Sequence, residues 1–178
     1  MPDSERIYFF VQDRAQAWLD ICTAPRSGGE PRRLLHETTE AWVESPGKLG
    51  FHDDGSFLLT SERTGWKHLY LYDKEGQLRQ PVTEGQWEVR EIHCVDEQGG
   101  WIYFTGTRDC HIAEHLYRIK PGGGEVQPLT EPAGSHSVSV SPNGRYFIDT
   151  WSDARTPTRV VLRATDGARL RMLDTNPV

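Results

Sequence analysis

One pattern is written four times into this chain of 178 residues, and its spacing decides what the chain can fold into. Phe57, Ile102 and Phe147 stand 45 residues apart at matching places in short apolar runs. Each is followed by a polar loop, a second strand-like run, a tight turn and a short terminal run. The terminal runs carry Gln80-Pro81-Val82-Thr83-Glu84, then Gln127-Pro128-Leu129-Thr130-Glu131, then Arg171-Met172-Leu173; an earlier copy opens at Ile7-Tyr8-Phe9 and ends at Arg33-Leu34-Leu35. A repeat of ~40 to 50 residues built from four short strands has the length of one propeller blade. The expectation is an all-β, partial β-propeller of four-stranded antiparallel blades.

The turns divide each copy into strands. Asp53-Asp54-Gly55, Glu97-Gln98-Gly99-Gly100 and Pro142-Asn143-Gly144 end in the glycine that hairpin turns favour. They join first strands over Lys48 to His52, Val89 to Val95 and Ser137 to Ser141 to second strands over Phe57 to Ser61, Ile102 to Gly106 and Tyr146 to Trp151. Third strands follow at His68 to Tyr72, His115 to Ile119 and Arg159 to Leu162. Pro81 and Pro128 fall on the fourth, outer strands, because proline cannot donate to a ladder and belongs at an edge. The first copy begins at a second strand, Ile7 to Val11, and continues through Trp18 to Ala24 and Arg32 to His36. The inventory is three full blades plus three strands, in one domain over residues 1–178, with copies at roughly 6–40, 41–84, 85–131 and 132–175. One stretch reads two ways. Ile112, Leu116 and Ile119 would share a helical face, whereas the match of His115-Leu116-Tyr117 to His68-Leu69-Tyr70 favours a strand.

Composition narrows the function classes. A net charge of −6, with Lys and Arg scattered among more numerous Asp and Glu, argues against a nucleic-acid partner. No run of ~18 apolar residues occurs, so no membrane-spanning helix is expected, and Met1 to Arg6 lacks the basic then apolar pattern of a secretory signal. Cys22, Cys94 and Cys110 have no C-x-x-C spacing, and His93-Cys94 and Cys110-His111 lack a closing ligand pair, so neither a disulfide framework nor a metal site is expected. Gly122 to Gly124 reads as a hairpin turn rather than a phosphate cradle, since no capped helix follows. No cofactor is expected.

Three phrases carry a resemblance. They are Thr60-Ser61-Glu62-Arg63-Thr64-Gly65-Trp66-Lys67-His68-Leu69-Tyr70-Leu71-Tyr72, Gly85-Gln86-Trp87-Glu88-Val89 and Ile102-Tyr103-Phe104-Thr105. Through them the chain resembles the propeller domain of the dipeptidyl peptidase IV branch of the prolyl oligopeptidase family, from about Trp42 to Asp174 and more weakly before. The resemblance implies a propeller that precedes and caps a C-terminal α/β-hydrolase domain, absent from these residues, whose serine, aspartate and histidine release dipeptides from peptide N-termini. The G-x-S-x-G elbow that would expose such a serine does not occur here. No counterpart is found of the family's paired glutamates for the substrate amino terminus: Glu37 and Glu40 read as a loop before Trp42, and Asp53 and Asp54 as a turn.

No catalytic residue is therefore assigned, and the implied role is gating and orienting peptide substrates for the hydrolase domain. The alternative is a free-standing protein-interaction module. Arg63, Trp66, Arg108, Trp151, Asp153 and Arg155 are expected in loops between second and third strands, either as a recognition surface or as covers for the blade ends. His68 and His115 recur at one blade position, which points to structural use. The implied partners are the hydrolase domain, its peptide substrates and a second copy meeting open blade faces through Tyr8, Phe10, Phe147 or Leu162.

Overall fold

A computed structural model describes residues 5–131 and 134–176 and contains 15 strands and, among the described residues, no helix. The N-terminal reading over Met1 to Ser4 and the opening of the fourth copy at 132–133 lie outside the described residues. The chain forms two compact units, Met1–Pro81 and Val82–Val178, and each holds two antiparallel sheets.

In the first unit, β1 (Arg6–Gln12), β2 (Trp18–Pro25) and β3 (Arg32–Thr38) form a three-stranded sheet in chain order. The second sheet runs β4 (Gly50–Phe51), β5 (Phe57–Ser61), β6 (His68–Tyr72) and β7 (Leu78–Pro81). Alternation explains the packing, because residues two apart share one side of a strand. Leu19 and Ile21 of β2, Leu34 of β3, and Phe57, Leu59, Tyr70 and Tyr72 of the second sheet form one core. Tyr8 and Phe10 pack against it, with the Tyr8 and Phe51 rings 4.6 Å apart. Gly76 sits at φ +83°, and a Cβ there would lie 2.5 Å from the Leu34 carbonyl oxygen. The β6–β7 turn therefore packs onto β3 at a point that only glycine fits.

The second unit repeats the plan with β8 (Val89–Asp96), β9 (Trp101–Gly106), β10 (His115–Ile119) and β11 (Gln127–Pro128), then β12 (Ser135–Val140), β13 (Tyr146–Ser152), β14 (Arg159–Ala164) and β15 (Arg169–Asp174). Cys94, Tyr103, Leu116, Leu129 and Phe147 form its core. Beside it Trp87, Phe104 and Tyr117 stack, with ring centroids 6.1 and 5.6 Å apart along the series.

The expected strand pattern is present, with instructive departures. The first strand of the second sheet shrinks to Gly50–Phe51, since Pro46 lacks an N–H and Gly47 turns to φ +70° just upstream. Residues 115–119 pair with β9 as a strand, and Ile112 is 94% exposed in the preceding turn, so the helical reading fails. Glu37 lies on β3 rather than in a loop, and Trp151 lies on β13, as the strand expected over Tyr146 to Trp151 has it, rather than in the loop that follows. Phe147 is 1% exposed in the core and cannot meet another chain; the exposed apolar residues of β13 are Tyr146 and Ile148, of opposite parity. Tyr8 and Phe10 likewise face their own core, and Ile7 and Val11 face outward.

Candidate functional site

At the β5–β6 loop of the first unit, Arg63 is drawn inward instead of reaching into solvent. Its guanidinium lies 4.4 Å from the Tyr70 ring centroid and 5.7 Å from that of Tyr72. One terminal nitrogen donates to Glu37 and to the Tyr72 hydroxyl, and Nε donates to Ser61 Oγ at 3.1 Å. Ser61 in turn donates to Glu37 at 2.8 Å. The Glu37 side chain is 11% exposed, so this carboxylate from β3 and the cation from the β5–β6 loop neutralise each other in a partly dry setting. Burial pushes the Tyr72 hydroxyl up to about 12, against the pull of Arg63 and with the push of Glu37.

Lys67 stands beside it. Burial disfavours its charge, but the hydrogen bond at 2.7 Å and the charge of Glu44, with Glu62 at 3.4 Å, outweigh that and raise its pKa. Trp42 and Trp66 remain 59% and 36% exposed beside these pairs. The rim therefore offers indole faces, while its cations Arg63 and Lys67 are paired with the carboxylates of Glu37, Glu44 and Glu62.

The second unit contains a histidine and aspartate in the spacing that general-base catalysis uses. His136 Nδ1 lies 2.8 Å from Asp149 Oδ1, and both side chains are about 2% exposed or less. The rest of the constellation is missing. His136 Nε2 faces the Glu131 carbonyl oxygen at 2.8 Å, and a nitrogen that donates to a carbonyl has no lone pair to take a nucleophile's proton. Arg163 Nε approaches the other Asp149 oxygen at 3.3 Å. The trio is thus a buried polar cross-link that ties β12, β13 and β14 together. His115 lies 5.0 Å away ring to ring; burial and then the charge of His136 lower its pKa.

The remaining residues singled out in the sequence are held locally. Arg108 donates to the Val126 carbonyl at 2.5 Å. Asp153 accepts the amides of Arg155 and Thr156, whose bonds hold its carboxyl below the usual range. Trp151 lies 6.4 Å from the His136 ring and 5.8 Å from the Arg159 guanidinium. Cys22 and Cys94 are buried, Cys110 is half-buried, and none of the three is joined in a disulfide. Among the described residues, no group of three or more His, Cys, Asp or Glu is placed to hold a metal ion. Sequence reasoning puts Glu37 in a loop, and it offers no sign of the His136–Asp149 pair. For Glu37 the signal was its parity: two residues from Leu35 on a strand, it had to project toward one side of the sheet rather than into a loop.

Antiparallel hairpin sheets recurring at this spacing define the class: a segment of a β-propeller with no catalytic constellation assembled among the residues described. A family model described as the Dipeptidyl peptidase IV (DPP IV) N-terminal region matches residues 1–158. The chain belongs to this family. A probable dipeptidyl peptidase 4 of Emericella nidulans is 29% identical over 180 residues, covering 93% of this chain and 23% of its own. That of Aspergillus flavus is 30% identical over 125 residues, covering 69% and 16%. The crystal structure of Porphyromonas gingivalis dipeptidyl peptidase 4 superposes with a TM-score of 0.88 at 27% identity, over 97% of this chain and 25% of that one. The chain therefore spans about a quarter or less of the length of these relatives.

Proposed function

We propose that the chain is the non-catalytic propeller portion of a dipeptidyl peptidase IV-like serine peptidase, and that it gates and orients peptide substrates for an α/β-hydrolase domain elsewhere in the parent protein. The observation that carries this reading is the family match over residues 1–158 in a chain that spans only 23% of a relative bearing the peptidase name. The chemistry agrees. Acyl transfer needs an activated nucleophile with a base and oxyanion donors, and the His–Asp pair present spends its second nitrogen on a backbone carbonyl. The β5–β6 rim of the first unit, with Trp42 and Trp66, is the surface offered to an extended peptide.

The test uses the chain extended by the coding sequence that follows it. The extended protein is expected to cleave an Xaa-Pro chromogenic dipeptide, and the 178-residue chain alone is expected to be inert. Trp66→Ala with Trp42→Ala is expected to change kcat/KM for longer peptides while leaving the dipeptide substrate alone. Downstream sequence without a G-x-S-x-G hydrolase would overturn the reading in favour of a free-standing interaction module. A loop variant that affects short and long substrates equally would overturn the role given to the rim.

A further inference from the structure

The fourth sheet departs from a pattern that the second and third share. In those two, the third strand of the repeat carries a buried row at every second residue: His68, Tyr70 and Tyr72 on β6, and His115, Tyr117 and Ile119 on β10, none more than 4% exposed. On β14 the same row reads Arg159, Val161 and Arg163. The second strand changes with it, because Leu59 and Phe104 are followed at the same spacing of 45 residues by Asp149. Residues opposite each other in an antiparallel pair share a side, and Phe147 pairs with Arg163, Asp149 with Val161 and Trp151 with Arg159. Phe147 packs with Cys94, Tyr103 and Leu116. The charged row therefore looks into the second unit, toward β8 to β11.

Charge in place of core leaves a cavity there. β11 has two residues where β15 has six, so the wall opposite the outer strands is short. A cavity of ≈ 400 Å³ remains, lined by Trp151, Val161 and Met172 together with Arg159, Arg163 and Arg169. A register shift supplies the third arginine. Regular alternation would put Arg169 and Met172 on opposite sides, but the shift between Leu162 and Arg163 sets Arg169 opposite Arg163 and Met172 opposite Val161, so both line the same space.

The cations outnumber the acids. Glu131 and Asp149 are the carboxylates of the lining, and Asp149, 1% exposed, is already shared by His136 and Arg163. Its Oδ2 and the Arg163 Nε, 3.3 Å apart, are nonetheless buried without a hydrogen bond. Arg159 and Arg169 are exposed, and among the described residues their side chains make no hydrogen bond or ion pair. Two guanidiniums thus stand unneutralised beside an indole and a buried donor without an acceptor.

We propose that this cavity binds a small molecule that joins a carboxylate or phosphate to an aromatic or apolar body. Guanidinium forks match the paired oxygens of either group, and Trp151, Val161 and Met172 give the body an apolar wall. The volume falls within the ~300 to 1,000 Å³ of small-molecule sites. Arg159 and Arg169 hold the oxyanion at the mouth, and the cross-link of His136, Asp149 and Arg163 fixes β14 behind them.

The probes are phenyl phosphate, 3-phenylpropionate and inorganic phosphate. Each is titrated by calorimetry, at one ionic strength set with sodium chloride, into the 178-residue chain and into the protein extended by the coding sequence that follows it. An aromatic anion is expected to bind saturably, one per chain, about tenfold or more tighter than inorganic phosphate; the tighter of the two aromatic probes identifies the oxyanion. Arg159→Gln and Arg169→Gln, with unchanged circular dichroism, are each expected to weaken that binding about tenfold or more. Arg171→Gln removes the same charge from the same strand at a residue opposite Leu162, on the other side of the sheet, and is expected to leave binding within about twofold. Absence of saturable binding overturns the inference, as does inorganic phosphate binding as tightly as the aromatic anions. So does indifference to Arg159→Gln and Arg169→Gln, or an equal loss in Arg171→Gln, which would reduce the effect to overall charge. Binding by the 178-residue chain that vanishes in the extended protein also overturns it, since the parent's own residues would then fill the cavity.

Discussion

Removing the Asp149 carboxylate tests the polar cross-link of the second unit most directly. Asp149→Ala leaves His136, about 2% exposed, without its Nδ1 partner, and Arg163, 13% exposed, without its counter-charge. A hydrogen bond to a charged group contributes ~1.5 to 3 kcal/mol, and breaking a buried pair from one side costs ~3 to 5 kcal/mol because the remaining charge stays buried. The Arg163 side chain retains some access to water, which places the expected loss near the lower end, about 3 kcal/mol. For a chain of this size that corresponds to a melting temperature ~6 to 12 °C lower. The assay is urea unfolding of wild type, Asp149→Ala, His136→Ala and the double variant. The double variant is expected to be more stable than the sum of the single losses predicts, by ~1.5 to 3 kcal/mol, because removing His136 also removes the orphaned group. Single losses below about 1 kcal/mol, or additivity within ~0.5 kcal/mol, would refute the claim that these side chains act as one buried unit.

Three further outcomes follow from the geometry. Gly76→Ala is expected to cost at least ~2 kcal/mol more than Gly167→Ala by urea unfolding, since both sit at positive φ but only Gly76 meets a backbone atom, at 2.5 Å, where its Cβ would go. Glu37→Gln and Arg63→Met are expected to be coupled by about 1 kcal/mol in a double-mutant cycle, with the coupling falling as salt rises. Tyr72 stays protonated up to about 12 in the folded chain, above the ~10 of a free phenol. Its share of stability is intact below pH ~10 and is lost as pH rises through about 12; Tyr72→Phe is expected to flatten that part of the stability profile and delete the tyrosinate step near pH 12 at 295 nm.

The repeat made the strand order legible because blades are built from sequence neighbours. Glycine at turns and proline at outer edges marked the boundaries, and β5 and β6 fall where the turns placed them. What the repeat could not convey was which side of a strand a residue would occupy. Phe147 and Tyr8 were legible as strand residues, but their parity sends them into their own cores, and Ile7, Val11, Tyr146 and Ile148 are the exposed ones. The candidate rim was legible in part. Arg63 and Trp66 lie on the expected loop, yet Arg63 is occupied by Glu37, a residue from a different sheet separated by 26 positions, and no local pattern encodes that meeting. The His136–Asp149 contact was hidden for the same reason: two polar residues inside alternating strands look solvent-facing until the register of β12 against β13 is known.

Among the described residues, every sheet is assembled by a strand pairing with the one that follows it, with no crossover. Loop closure is therefore short at each step, and the entropy of bringing strands together is met hairpin by hairpin rather than across the whole domain. For a growing chain this means that β4 to β7 can zip as soon as the outer proline strand emerges from the ribosome, before β8 has been translated. Synthesis at ~5 to 20 residues per second delivers one 45-residue repeat every few seconds, far slower than hairpins form. The order of the strands in the sequence is thus also a timetable, in which each sheet has time to settle before the next one competes for its edges.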